Sequence, residues 1–275
     1  MRTRALTAFF LLISASLYAQ PCREVIAYYP NWQWYDRNKL VRPATIDYDQ
    51  YSIINYAFFK PEATGMISST DTWADENLLL GQPDWQNGGY LPNTSMVDLA
   101  HNHGVKVLAS IGGWTLSNNF PLLAADPPAR EQFASSCVNL ITTYGLDGID
   151  IDWEYPGFAA HNGTPNDGTN FTLLMRTVRD SLNVLSQGSG MSYLLTSCFS
   201  PDPAKMGIIE WNNLDSLLDF FNLMTYDFFG PWDSISNHNS PLYSPAQGDT
   251  SFNIDAAFRN VSQQYGIDPG KVNIG

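Results

Sequence analysis

Gly-Leu-Asp-Gly-Ile-Asp-Ile-Asp-Trp-Glu-Tyr-Pro fills residues 145–156 and places four carboxylates within eight residues. In a β-strand, successive side chains point to opposite faces. A strand over residues 148–155 would therefore have an acidic row on one face and an apolar row on the other. The acidic row is Asp150, Asp152 and Glu154, and the apolar row is Ile149, Ile151 and Trp153. The apolar row suits packing against helices outside a parallel sheet, which leaves the acidic row pointing into a barrel or cleft.

Neighbours in the acidic row would lie about 6 to 7 Å apart, because each is two strand residues further on. Carboxylates this close cannot all ionise, so at least one proton is retained. Glu154 is the expected holder, because it has the longest side chain and lies nearest the C-terminal end of the strand, where barrel enzymes keep their chemistry. A proton held there predicts a general acid near neutral pH.

The four carboxylates follow the spacing Asp-x-x-Asp-x-Asp-x-Glu, from Asp147 to Glu154, and lead into Tyr155 and Pro156. This pattern resembles the signature of family 18 glycoside hydrolases, the chitinases. An acidic edge strand in solvent would explain the alternating charge, but it would not explain this spacing together with Trp-Glu-Tyr-Pro. The resemblance implies a (β/α)8 TIM barrel and hydrolysis of a sugar polymer.

The resemblance also implies substrate-assisted hydrolysis with retention, in contrast to retaining glycosidases that use two carboxylates. Glu154 would protonate the glycosidic oxygen while the acetamido carbonyl of the sugar attacks C1. Asp152 would hydrogen-bond the acetamido N–H, and Asp150 would share a proton with Asp152. Asp147 is off the parity of the row and is interpreted as structural. The first-choice substrate is β-1,4-linked N-acetylglucosamine in chitin.

Residues 109–114 read Ala-Ser-Ile-Gly-Gly-Trp and end a predicted strand. A Gly-Gly pair alone is typical of many turns, but its position ahead of the acidic strand resembles a second motif of the same family. The resemblance implies that Ser110 hydrogen-bonds inward to the aspartates. It also implies that Gly113 lets the backbone approach the sugar, with Trp114 beside it.

Residues 224–227 read Met-Thr-Tyr-Asp and end another predicted strand. Period-two parity puts Met224 and Tyr226 on one face and starts the loop at Asp227. The segment resembles a third family motif, which implies that the Tyr226 hydroxyl contacts the acetamido group. Asp227 would bind the sugar next to the cleavage point. A buried tyrosine satisfied by backbone is the alternative interpretation of Tyr226.

Aromatic residues end the first two predicted strands. By the resemblance, Tyr28 would reach toward Asp150, and Phe58 would pack beneath the sugar ring. The resemblance further implies cis peptide bonds at Ala57–Phe58 and Glu154–Tyr155, which would turn these side chains toward the sugar. Tryptophans in strand-end loops are candidates for stacking on sugar faces, although aromatic residues are more often core residues. These tryptophans are Trp32, Trp34, Trp114 and Trp232.

Short apolar runs alternate with amphipathic segments from residue 25 onward, which predicts βα units and a parallel sheet. The expected strands are 25–29, 52–59, 105–111, 148–155, 193–199, 220–226 and 272–275. The expected helices are 96–102, 128–144, 169–185, 211–218 and 254–265. The 275 residues suit one domain, because a (β/α)8 barrel needs about 250. We therefore expect one catalytic barrel over residues 20–275.

That barrel would be incomplete, with seven strands and without the eighth strand and the last helices. Residues 271–275, Lys-Val-Asn-Ile-Gly, resemble the opening of the family's seventh strand rather than the end of a domain. A seven-stranded barrel leaves two unpaired backbone edges, which proteins avoid. The expectation is a fragment of a longer reading frame that is poorly soluble or inactive as written.

Residues 1–19 have a basic start and a short apolar run, which predicts a signal peptide cleaved after Ala19 and a secreted protein, extracellular or periplasmic. Cleavage after Ser16 and a retained membrane anchor are the alternatives. Loss of Arg2 and Arg4 would take the formal net charge from -13 to -15. Such a charge argues against nucleic acid or an anionic membrane as a partner. Cys22, Cys137 and Cys198 are an odd number, so no disulfide on which the fold depends is expected.

Three further expectations concern partners. The chain is expected to be a monomer that binds chitin or chito-oligosaccharides and uses no cofactor or metal. His161 and His238 have no second ligand at a metal spacing and are interpreted as loop residues.

The alternatives to an endo-acting chitinase are an endo-β-N-acetylglucosaminidase on glycoprotein glycans and a chitin-binding lectin. The lectin is disfavoured because such proteins typically lack the glutamate, and Glu154 is present.

Overall fold

The structure is a computed structural model of the chain. It describes residues 24–244 and 250–275. The expected signal peptide and Cys22 lie outside the described residues. None of the helices in the described ranges is long and apolar enough to cross a bilayer.

Seven parallel strands form one sheet in the order β1-β2-β4-β5-β6-β7-β8, and the short strand β3 pairs antiparallel with the end of β2. The strands are β1 (Ile26–Pro30), β2 (Ile53–Pro61), β3 (Ile67–Ser68), β4 (Lys106–Gly112), β5 (Gly148–Asp152), β6 (Leu194–Phe199), β7 (Phe220–Leu223) and β8 (Val272–Ile274). The parallel order follows from the alternation of apolar runs and helices, because parallel neighbours need a crossover connection.

Helices make these crossovers after β2. They are α1 (Thr72–Leu79), α2 (Met96–Asn102), α3 (Phe120–Ala125), α4 (Pro127–Tyr144), α5 (Asp167–Ser189), α6 (Pro203–Met206), α7 (Trp211–Asp215) and α8 (Ile254–Arg259). The five predicted helices are present, whereas α1, α3 and α6 were not predicted. Between β1 and β2 the chain forms short 3-10 turns instead of an α-helix.

The sheet does not close within the described residues. β1 and β8 each have one neighbour in the sheet, so they are its two edges. A cavity of about 250 Å³ lies between them and is lined by Val25 and Tyr28 on one side and Asn273 and Gly275 on the other. The predicted incomplete (β/α)8 barrel with seven parallel strands is therefore confirmed.

The apolar row of β5 packs outward, as predicted. Ile149 and Ile151 are fully buried, and the ring of Trp153, which follows the strand, stacks on Phe120 of α3 with centroids 5.3 Å apart. The same indole makes a T-shaped contact with Phe171 of α5, with centroids 5.8 Å apart. Burial of aromatic surface by two helices fixes which face of β5 points inward. The acidic face consequently points into the barrel.

Two predicted strands end earlier than expected. β5 stops at Asp152 and not at 155, because the Glu154 N–H donates to Ser117 Oγ in a loop and not to a neighbouring strand. β7 stops at Leu223 and not at 226, because the Thr225 N–H turns back to the Leu223 carbonyl. The side chains that follow both strands are therefore placed by loops.

Candidate active site

Side chains from five strands meet at the C-terminal ends of the parallel strands. Asp150 pairs in register with Ser110 on β4 and with Thr196 on β6, so the three residues form one row across the sheet. All three are fully buried. Because parallel strands present their carboxyl ends at one edge, the loops that follow them surround this row. The sequence thus builds a polar centre inside an apolar shell.

Asp150 accepts hydrogen bonds from four oxygen or nitrogen donors, besides a longer contact from Cys198 Sγ at 3.8 Å. Its Oδ1 atom accepts from Thr196 Oγ1 at 2.6 Å and from Asn222 Nδ2 at 3.2 Å. Its Oδ2 atom accepts from Ser110 Oγ at 2.7 Å and from the Tyr28 hydroxyl at 3.0 Å. Burial raises the pKa of Asp150, and these four hydrogen bonds oppose the rise. The hydrogen bonds implied for Ser110 and Tyr28 are present.

The Asp152 carboxyl group has fewer hydrogen-bond partners than that of Asp150. Its side chain is 5% exposed, and its Oδ1 atom is buried without a hydrogen-bond partner in the described part of the chain. Burial raises the pKa of Asp152 well above its ordinary value, and the charges of Glu154 and Asp150 add to the rise. No hydrogen bond joins Asp150 to Asp152 among the described contacts, so the predicted sharing of a proton stays a prediction.

Glu154 lies two residues beyond the end of β5, and its backbone is bound on both sides. Its N–H donates to Ser117 Oγ at 2.9 Å, and its carbonyl accepts from the Nδ1 atom of His161. Burial raises the pKa of Glu154. A hydrogen bond with Tyr155 and the nearby His161 and Lys205 oppose the rise. The carboxyl group is thus held in surroundings that favour its protonated form.

The Gly-Gly pair after β4 makes two close approaches. A Cβ on Gly112 would lie 2.3 Å from the Asp152 carbonyl oxygen, and a Cβ on Gly113 would lie 3.2 Å from the Phe58 ring. Gly112 has φ of +112° and Gly113 has φ of +88°. Glycine is therefore required here by backbone conformation and by space. The peptide bonds Ala57–Phe58 and Glu154–Tyr155 are cis, as predicted.

The segment after β7 supplies Met224, Tyr226 and Asp227. Met224 is buried and lines the cavity between the sheet edges, whereas Tyr226 is 43% exposed. Burial raises the pKa of the Tyr226 hydroxyl, so it stays protonated as a donor at neutral pH. Asp227 has φ of +53° and accepts from Asn239 Nδ2 at 2.9 Å. The buried-tyrosine alternative for Tyr226 is wrong, because the ring is partly open to solvent.

Asp147 lies at the other end of β5, ahead of the strand. Its Oδ2 atom accepts from the Val107 N–H at 2.7 Å and contacts His101 Nε2 at 2.8 Å. The Asp147 backbone also joins its neighbours, since its carbonyl accepts from the Leu194 N–H. These contacts tie the start of β5 to those of β4 and β6, far from the acidic row.

Three of the four predicted tryptophans are exposed. Trp32, Trp114 and Trp232 are each more than half exposed. Trp34 is not, because Lys39 covers its ring at 3.5 Å. Trp73 and Trp85 were not predicted. Together with Trp34 they line a cavity of about 700 Å³ outside the acidic row.

Sequence reasoning missed five residues that contact the acidic row or Glu154. Parity along the strands containing them could have identified Thr196, Cys198 and Asn222. Ser117 and His161 lie in loops and carry no local signal. These residues are Thr196, Cys198, Asn222, Ser117 and His161.

His161 lies in the loop between β5 and α5, as predicted, where it ends a 3-10 turn at Ala159–His161. Its contact with the Glu154 carbonyl was not predicted. His238 is exposed in a loop, as predicted. No group of three or more metal-ligating side chains occurs in residues 24–244 and 250–275. Cys137 and Cys198 are free and buried.

A family model described as glycosyl hydrolases family 18 matches residues 24–275. The chain is 34% identical over 273 residues to chitinase A1 of Niallia circulans, which covers 86% of this chain and 39% of that protein. It is 34% identical over 256 residues to endochitinase 1 of Metarhizium robertsii, which covers 90% of this chain and 58% of that protein. The chain therefore spans about half the length of these two relatives.

Solved structures share the fold. A chitinase from Bacillus thuringiensis superposes with a TM-score of 0.78 at 29% identity, covering 92% of this chain and 48% of that one. Catalytic domain 2 of the Group II chitinase from Ostrinia furnacalis also gives a TM-score of 0.78 at 29% identity, covering 92% of this chain and 63% of that one.

Proposed function

The chain belongs to family 18 of the glycosyl hydrolases, and from this premise we propose that it is a chitinase with Glu154 as general acid and base. The observation that carries the proposal is the acidic row at the C-terminal end of β5, in which Asp150 and Asp152 are buried and Glu154, two residues beyond the strand, is half-buried. Burial raises the pKa of Glu154, which keeps a proton available for a leaving group near neutral pH.

The proposed reaction uses the sugar's own nucleophile. Glu154 gives its proton to the glycosidic oxygen while the carbonyl oxygen of the 2-acetamido group attacks C1, which forms a cyclic oxazolinium ion. Water then opens this ion, and Glu154 takes a proton from the water, so the anomeric configuration is retained. Family 18 is an exception to the two-carboxylate retaining scheme for this reason.

Asp152 is proposed to orient the acetamido group. Its unpartnered Oδ1 atom is a free acceptor for the acetamido N–H, which would satisfy a buried oxygen. Asp150, whose two carboxylate oxygens both accept hydrogen bonds, would hold a negative charge next to Asp152. Tyr226 would donate its hydroxyl to the acetamido group, and Asp227 would bind the adjacent sugar.

The other predicted substrate-binding residues are proposed to contact sugar rings. Phe58 would lie beneath a ring, Gly113 and Met224 would allow close approach, and Trp114 and Tyr155 would provide apolar faces for stacking. The names of the relatives support chitin as the polymer. A variant of the Ostrinia furnacalis domain has been solved with an N-acetylated chito-oligosaccharide. We further propose an endo mode of cleavage, a monomeric catalytic barrel over residues 20–275, and secretion after removal of residues 1–19.

Release of soluble sugar from colloidal chitin tests the proposal. Glu154→Gln is expected to lower the rate more than about a thousandfold and to preserve oligosaccharide binding, because it removes a proton donor and keeps the shape. Glu131→Gln, on the exposed surface of α4, is the matched control and should leave the rate unchanged. Activity of Glu154→Gln within tenfold of the wild type would contradict the assignment.

Three measurements separate the alternatives. NMR should show the β anomer as the first product, and an inverted product would exclude the mechanism. Early cleavage of internal bonds in a chitohexaose would support the endo mode. Release of glycans from a glycoprotein without action on chitin would favour the endo-β-N-acetylglucosaminidase, and binding without any release would favour the lectin.

A further inference from the structure

The backbone of Glu154 is held by two side chains from different loops, and one of them is His161. We propose that His161 is a positioning residue that fixes the carboxyl group of Glu154 relative to the bound sugar. The inference rests on the proposed role of Glu154 as general acid. It adds a residue that lies outside the acidic signature and outside the other motifs.

The hydrogen bond defines the protonation of one ring nitrogen. A carbonyl oxygen only accepts, so the Nδ1 atom of His161 must carry the proton that it shares with the Glu154 carbonyl. This contact spans seven residues of chain and crosses the loop that follows the acidic strand. The imidazole therefore joins this loop by a hydrogen bond to Glu154, the residue that performs the proposed proton transfer.

Aromatic contacts fix the ring of His161. Its centroid lies 4.6 Å from that of Trp114 in an edge arrangement, and 5.2 Å from that of Phe158. Trp114 follows the Gly-Gly pair, so the imidazole joins the loops after β4 and β5. Because both neighbours restrict the ring, its Nδ1–H is aimed before substrate arrives. A preorganised donor of this kind loses less entropy than a mobile one.

The loop that carries His161 is anchored at its far end by Asp167, the first residue of α5. The carboxylate of Asp167 accepts from the Gly157 N–H at 2.9 Å and from the Thr164 N–H at 2.9 Å. The Thr164 hydroxyl adds a bond of 2.6 Å to the same group. Asp167 is fully buried. His161 consequently sits on a braced segment between two fixed points.

Ser117 holds the other side of Glu154. Its Oγ atom accepts from the Glu154 N–H at 2.9 Å and lies 2.9 Å from the Gly113 carbonyl, to which it donates. Ser117 and His161 thus bind the N–H and the C=O of one residue. A catalytic group must be held close to its productive geometry, since a displacement of about 1 Å can cost on the order of a hundredfold in rate.

Two substitutions separate the hydrogen bond from the ring contacts. His161→Phe keeps an aromatic ring beside Trp114 and removes the donor. His161→Asn removes the ring and keeps an N–H at a position close to that of Nδ1. If His161 positions Glu154, His161→Phe should lower kcat by about tenfold or more on a chito-oligosaccharide with KM within about twofold of the wild type. His161→Asn should retain most of kcat.

The matched control is His238→Phe, which changes an exposed loop histidine and should leave both constants unchanged. The full chain is used, and the melting temperature of each variant is recorded. His161→Gln moves the amide one bond further out, so it should resemble His161→Phe, and it decides the question if the phenylalanine variant does not fold.

Two results would overturn the inference. The first is a wild-type kcat in His161→Phe, or in His161→Gln if the phenylalanine variant folds poorly. The second is an equal loss of kcat in His161→Asn and His161→Phe.

Failure of the proposed function gives a different result. A Glu154→Gln variant that stays active removes the proposed function and this inference together. A wild type that depends on Glu154, combined with an unaffected His161→Phe, removes this inference alone.

Discussion

Tyr28 and Asp150 are 122 residues apart in the sequence, and the Tyr28 hydroxyl donates to Asp150 Oδ2 at 3.0 Å. The bond joins the first strand of the sheet to the acidic strand across the interior of the barrel. The same hydroxyl lies 2.9 Å from Cys198 Sγ and 3.3 Å from Asn222 Nδ2. Tyr28 therefore links β1, an edge strand of the sheet, to Asp150, the carboxylate next to Asp152 in the acidic row.

Tyr28→Phe is expected to lower kcat by about tenfold to a hundredfold, because a hydrogen bond to a charged group contributes about 1.5 to 3 kcal/mol. Burial raises the pKa of Asp150, and the loss of one of four opposing donors raises it further. Tyr29→Phe is the control, since that neighbouring hydroxyl donates to the Val41 carbonyl at 2.8 Å, away from the carboxylates. Steady-state kinetics on a chito-oligosaccharide measure the difference. Equal effects of the two substitutions would contradict the prediction.

Lys205→Met is expected to move the basic limb of the pH profile of kcat/KM to higher pH. Burial raises the pKa of Glu154, and the positive charge of Lys205 is among the interactions that lower it. Removal of this cation therefore raises the pKa of Glu154, so the acid keeps its proton to higher pH. Methionine keeps an unbranched apolar side chain but removes the Nζ atom, which lies over the Tyr155 ring at 4.5 Å from its centroid.

Lys106→Met is the control for charge, because Lys106 is exposed and begins β4 at the opposite end of the strands. Its profile should coincide with that of the wild type. A basic limb that stays in place in Lys205→Met, or moves to lower pH, would contradict the electrostatic assignment of Lys205.

Period-two parity predicted the direction of the acidic row because one face of β5 is apolar and must be buried. The structure confirms this at Trp153, whose indole packs between α3 and α5. Parity could not show where the strand ends. That depends on Gly113 and Ser117, which bind the backbone carbonyl of Asp152 and belong to a loop more than thirty residues earlier.

The donors to Asp150 were only partly predictable. Ser110 and Tyr28 were found through motifs, whereas Thr196 lies in a strand without a motif and Asn222 lies outside the motif that follows its strand. Their partner is decided by register, because Asp150 pairs with Thr196 across the sheet. His161 could not be predicted, because its contact with Glu154 requires the folded loop that Asp167 anchors.

His101→Gln is expected to reduce stability more at pH 5 than at pH 9. The hydrogen bond to Asp147 raises the pKa of His101. A pKa raised by folding stabilises the protein fully below the unfolded value of about 6.5, and this contribution is lost as pH rises through the folded value. The ring is 42% exposed, so a loss of only about 0.5 kcal/mol is expected at pH 5.

Urea unfolding at the two pH values measures this difference. His103→Gln is the control, because His103 lies 2.8 Å from Asp49, whose side chain is 74% exposed, whereas that of Asp147 is 13% exposed. An exposed pair of this kind contributes little. Equal losses at pH 5 and pH 9 in His101→Gln would show that the interaction with Asp147 does not depend on charge.

Gly112→Ala is expected to destabilise the chain by about 3 kcal/mol or more, from steric overlap and an unfavourable φ together. The added Cβ would lie 2.3 Å from the carbonyl oxygen of Asp152, so the backbone of the acidic strand must move. Gly88→Ala is the matched control. Gly88 also has a positive φ, of +79°, but no atom lies within 4 Å of its added Cβ.

The control should therefore lose only about 1 to 2 kcal/mol, the cost of the backbone conformation. Urea unfolding gives both values, and kinetics on the folded fraction give a second readout. Because Gly112 lies against Asp152 and not merely in the core, Gly112→Ala should also lower kcat in the molecules that remain folded. Equal losses of stability at the two glycines would show that the close approach of Gly112 to Asp152 is not needed for the fold.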